Sequence, residues 1–70
     1  MITKQEVIRA MNIVFNPQYY RDSATPVELQ LAQSLKVYES RGEFDTHPGT
    51  GRRYEQAVEC LKQAAYEIQE

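Results

Sequence analysis

Apolar positions recur along this chain at steps of three and four, in three separate stretches. Val7, Ile8, Met11, Val14 and Phe15 share one face of a first helix. Thr3-Lys4-Gln5-Glu6 in front of them is a capping box: the threonine hydroxyl accepts a free backbone N–H and the glutamate reaches back to the cap. Asn16-Pro17 ends that helix near Phe15, because proline disfavours the helical conformation in the residue before it. Gln18 to Ser23 reads as a polar connection carrying Tyr19 and Tyr20.

The second stretch opens at Thr25-Pro26-Val27-Glu28, a cap with proline at the first helical position and a glutamate two residues further on. Val27, Leu31, Leu35 and Tyr38 hold its stripe, Leu29 and Ala32 widen it, and Gly42 stands where a left-handed terminating residue is needed. Glu43 to Thr50 combines proline, glycine and turn-forming polar residues, which predicts a loop without regular structure. The third helix takes Thr50 as its cap and runs nearly to the end on Tyr54, Ala57, Val58, Leu61, Ala65 and Ile68. No alternating run is long enough for a strand. The fold class is all-α: one small three-helix domain over residues 1–70, helices two and three an antiparallel hairpin with helix one laid across them.

Size changes that picture by making the domain marginal. A chain of 70 residues buries only about 60% of its unfolded surface. A single cysteine, Cys60, excludes an internal disulfide, and one Cys with one His cannot build a zinc site. Oligomerisation or ligand binding is the expected supplement. With no apolar run of membrane-spanning length and no signal-peptide pattern, the chain reads as soluble and cytoplasmic. A net charge of −2 argues against the broad basic face that duplex nucleic acid requires. Lys4, Arg9 and Arg21 form one cationic focus and Arg52 and Arg53 another, whereas Glu55, Glu59, Glu67 and Glu70 dominate the last helix. Such foci suit a compact anion.

The second focus lies in His47-Pro48-Gly49-Thr50-Gly51-Arg52-Arg53, directly before a helix. A helix N-terminus presents free N–H groups and partial positive charge, so unpaired arginines there call for an anion. His47, Thr50, Gly51, Arg52 and Arg53 are the candidate phosphate-binding residues, with bidentate arginine geometry as the recognition element. The opposing reading pairs the arginines with Glu43, Asp45 or Glu55 and leaves the glycines as turn formers. The stretch is no Walker loop, since the lysine and the preceding strand are missing. Tyr38, Tyr54 and Tyr66 belong to helical stripes and should pack with their hydroxyls at the boundary. Tyr19 and Tyr20 are adjacent in a polar connection and cannot both enter one core, so they are candidates for base stacking or for an oligomer contact.

No catalytic constellation emerges. His47 has no nucleophile at recognisable spacing, and Ser23, Ser34 and Ser40 lack any motif context. Cys60 falls beside an apolar stripe as a buried thiol, and Glu55 and Glu59 read as a solvated face with no further metal ligands.

Phe15-Asn16-Pro17, a polar turn, an amphipathic helix, a loop and a last helix with Tyr54-Glu55-Gln56-Ala57 together make a layout over residues 15–65. It resembles bacteriophage anti-CBASS sponges, small helical proteins that assemble as oligomers and sequester cyclic oligonucleotide immune signals. The resemblance implies a nucleotide-sequestering homo-oligomer in the bacterial host cell, without a cofactor, and carries over no ligand residue by position. The tryptophan common in that family's last helix is missing here. A second reading is an adaptor or inhibitor that binds a protein partner through leftover apolar positions such as Ile13, Leu29 and Val37.

Overall fold

The computed structural model describes residues 1–44 and 53–69, apart from the side chains of Tyr19 and Arg21. Helix α1, Lys4–Phe15, begins at the expected capping box: the Thr3 hydroxyl accepts the Glu6 N–H at 3.2 Å, and the Glu6 carboxylate accepts the Thr3 N–H at 2.9 Å. Asn16, at φ −139° and ψ 65°, leaves the helical region as the following proline requires. The polar connection is more ordered than its composition suggests. Pro17–Tyr20 winds into a single turn, α2, and Arg21–Ser23 continues it as a 3-10 turn. Proline at the head of α2 is already set near helical φ, and the Ser23 hydroxyl donates to the Tyr20 carbonyl at 3.2 Å.

Helix α3, Pro26–Ser40, opens on a second full capping box: Thr25 accepts the Glu28 N–H at 3.2 Å, and Glu28 accepts the Thr25 N–H at 3.1 Å. The same carboxylate accepts the Nε–H of Arg9 at 3.1 Å, and Arg9 also donates to the Ser23 carbonyl at 3.3 Å. Glu28 is thereby a buried charge on the inner face of α3, beside Leu31, Ala32 and Leu35. Val27 and Leu29, assigned to that stripe from sequence, are 40% and 38% exposed. At about 100° per residue, Val27 lies at the edge of a face centred on Leu31 and Leu35, and Leu29 turns away from it. Helix α1 likewise buries Val7, Ala10, Met11, Ile13 and Val14, leaving Ile8 and Phe15 half-buried. Ile13, read from sequence as a leftover interface position, is largely buried with the core. The most extensive helix contact is between α1 and α3.

Gly42, at φ 78°, reverses the chain after α3. Its N–H reaches the Glu39 carbonyl at 3.0 Å and the Glu43 N–H reaches the Tyr38 carbonyl at 2.9 Å, the paired bonds of a glycine-terminated helix. The reversal drives Phe44 inward to 1% exposure, where it stacks on Phe15 with centroids 5.9 Å apart. The predicted irregular loop therefore starts with a core residue, hidden from a periodicity argument because it has no apolar neighbour at helical spacing.

Helix α4, Arg53–Gln63, is shorter than its stripe predicts, and its expected cap Thr50 lies outside the described residues. Ala65 adopts φ 71°, with its N–H on the Lys62 carbonyl and the Tyr66 N–H on the Leu61 carbonyl, both at 3.0 Å. This is the closing pattern seen after α3, made with alanine in place of glycine. The chain then returns to Ile2, which pairs with Ile68 as an isolated parallel bridge. Among the described residues the structure is helical apart from such turns and that bridge. Its Cα radius of gyration, 10.9 Å, matches the roughly 11 Å of a folded domain of this length.

Four substitutions rank the interactions, each read from urea unfolding. Phe44→Ala should cost about 3–5 kcal/mol as a cavity in the core, while exposed Val37→Ala stays within about 0.5 kcal/mol. Glu28→Ala removes a cap and a partly exposed ion pair and should cost about 1–2 kcal/mol. Glu28→Gln keeps an acceptor for the cap and should lose less.

Candidate functional site

Arg53 is the member of the anticipated anion seat that the structure describes; His47, Thr50, Gly51 and Arg52 lie outside the described residues. As the first residue of α4 it sits over the end of α1, its guanidinium carbon 4.8 Å from the centroid of the Phe15 ring. Phe15 in turn lies on Phe44 at an interplanar angle of 24°. The end of α1, the reversal after α3 and the start of α4 thus converge on one stack of two rings and a cation. Among the described residues Arg53 forms no ion pair, and Glu55 on the same helix is exposed. Arg53 is therefore not paired with Glu43 or Glu55, while the pairing of Arg52, and any pairing with Asp45, lies outside the described residues.

A guanidinium held by its face against a ring keeps its in-plane N–H groups for acceptors. Arg53 is thus set against the Phe15 ring and makes no ion pair among the described residues. Tyr20, on α2, is 38% exposed and offers a ring for stacking. The side chain of Tyr19 is not described.

Of the first cationic focus, Lys4 and Arg9 take separate partners, and the Arg21 side chain is not described. Arg9 is committed to Glu28, and Lys4 places its ammonium 5.3 Å from the Tyr54 ring centroid. Arg41 lies similarly over Tyr38 at 5.7 Å. Tyr38, Tyr54 and Tyr66 all pack against the core as anticipated. The Tyr66 hydroxyl pairs with Ser34 at 3.2 Å, whereas the Tyr54 hydroxyl is buried without a hydrogen-bond partner among the described residues. Ser23 and Ser40 spend their hydroxyls on nearby backbone carbonyls. Among the described residues no group of three His, Cys, Asp or Glu side chains could hold a metal ion. No helix among them is long and apolar enough to cross a membrane.

Sequence reasoning missed an open groove of about 520 Å³ where α1, α2 and α3 meet. Ile13, Val14, Pro17, Leu29 and Ala32 supply its apolar lining, with Gln33 and Lys36 as the polar part. Ile13 and Leu29, singled out from sequence as leftover apolar positions, both line it, and Leu29 lies off the buried face of α3.

Cys60 is buried, its thiol directed at the Glu43 carbonyl 3.6 Å away. Burial pushes its pKa up, with the Glu43 and Glu59 carboxylates adding to the rise. An inert, protonated thiol follows, in agreement with its position beside the stripe. Because the folded state holds this proton more tightly than the unfolded chain, stability should fall as pH climbs past the ordinary thiol value of about 8.5. Urea midpoints at pH 8 and pH 10 should drop less in Cys60→Ala than in the parent chain.

In comparisons with known proteins, no family model matches this chain, and no match was found among curated proteins or solved structures.

Proposed function

We propose that this chain is a non-enzymatic binding protein that sequesters a small phosphorylated ligand, a cyclic or linear nucleotide signal, as an anti-defence sponge of phage origin acting in the bacterial cytoplasm. The observation that carries this reading is Arg53: it is positioned on the Phe15–Phe44 stack and has no carboxylate partner among the described residues. In this reading Arg53 and Arg52 hold phosphate with the N–H groups around Thr50 and Gly51, His47 adds a hydrogen bond, and Tyr19 or Tyr20 stacks on the base. A domain of this size has little interior for a ligand, so the pocket forms between protomers of a homo-oligomer. Helices α3 and α4 form the antiparallel hairpin of that protomer. The Glu43–Cys60 and Ser34–Tyr66 contacts, which run in opposite senses along the two segments, support that arrangement.

The open groove favours a second reading, a protein-binding adaptor or inhibitor that uses Leu29 and its surroundings. Thermal unfolding separates the two. A nucleotide at about a hundredfold excess over its Kd should raise the midpoint by roughly 10 °C or more. Arg52→Ala/Arg53→Ala should abolish that ligand-induced rise, and Leu29→Glu should preserve it. No rise with any cyclic or linear nucleotide would remove the sequestering reading. A stoichiometric protein partner retained by the double arginine variant and lost with Leu29→Glu would establish the adaptor instead.

A further inference from the structure

Helix α4 stops where its own sequence contains no stop. Gln63-Ala64-Ala65-Tyr66-Glu67-Ile68-Gln69 holds neither glycine nor proline, and Leu61, Ala65 and Ile68 keep the three-and-four spacing of the α4 stripe. Alanine, glutamate and glutamine all favour helix. The helix nevertheless ends at Gln63, and Ala65 is turned to φ 71°, a left-handed conformation in which a side chain is strained and glycine is usual. No other non-glycine residue among those described has a positive φ.

What holds the returning segment is modest. The Ile2 N–H donates to the Glu67 carbonyl at 2.8 Å and the Gln69 N–H donates to the Ile2 carbonyl at 2.7 Å. Tyr66 meets Ser34 through one hydroxyl pair, and Ile2, Tyr66 and Ile68 are only partly buried against the core. Local preference and tertiary contact therefore oppose each other across one strained residue, the arrangement expected of a bistable element.

We propose that residues 64–69 are a two-state strap, closed on Ile2 and Ser34 in the form described above, and released at Ala65 into a continuation of α4. Release returns Ala65 to the right-handed region and gives the N–H groups from Ala65 onward carbonyl partners four residues back. It also carries Ile68 onto the stripe of Leu61 and Ala65. The closed form covers Ile2 with Ile68, and the open form exposes both. The strap thus gates an apolar surface, and any molecule that contacts Ile2, Ser34 or Ile68 in only one form shifts the balance. This inference stands whichever ligand the chain binds.

Two variants of the full chain test it by NMR. Ile2→Pro deletes the donor to Glu67 and should move the Cα shifts of residues 64–68 to helical values. Shifts that stay as in the parent, or move to coil values, would overturn the proposal. Ala65→Gly favours the left-handed turn and disfavours helix, so the Ile2 and Gln69 amides should exchange with solvent about tenfold more slowly. Unchanged or faster exchange there would overturn it independently, and that variant retains every contact of the closed form.

Discussion

The Glu28 carboxylate is the constraint on which the arrangement of the first forty-four residues depends. One buried oxygen accepts from the Thr25 backbone and from Arg9, so the start of α3 and the middle of α1 are fixed to the same point. Arg9 extends that tie to the Ser23 carbonyl, which sets where the short turns after α1 can run. A buried charge is tolerated there because its inner oxygen accepts from a backbone N–H and from a guanidinium of opposite charge. The apolar faces of α1 and α3 supply the bulk of the contact, but they would pack in several registers. A directional bond between Arg9 and Glu28 favours one of them.

The fold was legible where local chemistry and periodicity agree. Thr3 with Glu6, the proline after Asn16, Thr25 with Pro26, and Gly42 each mark a boundary through a mechanism confined to a few residues, and the structure places boundaries at all four. What was not legible depends on contacts between segments distant in sequence. Phe44 looks like a loop residue until the Gly42 reversal delivers it to Phe15. Glu28 looks like an ordinary cap until Arg9 arrives from nineteen positions earlier. The end of α4 is the opposite case, since a clean stripe through Ile68 is overridden by pairing with Ile2. Of the candidate site, sequence indicated that Arg53 needs an anion or a carboxylate. It did not foresee that an aromatic face would hold the cation first.

That use of aromatic faces recurs. Lys4, Arg41 and Arg53 each lie over a ring, on Tyr54, Tyr38 and Phe15 respectively. A small acidic domain without tryptophan gains from this arrangement, because a cation on a ring adds apolar contact without consuming a carboxylate. Arg9 is used differently, and it serves the frame. These four cations thus divide by role: Arg9 is locked by a salt bridge in the framework, and Lys4, Arg41 and Arg53 are laid on rings.

The Phe15–Phe44 stack has one more implication. Phe44 and Arg53 flank residues 45–52, and both are held by the same ring. Both ends of that interval are thus fixed against one ring at the end of α1. One aromatic side chain of α1 therefore ties the chain that leaves α3 to the chain that enters α4.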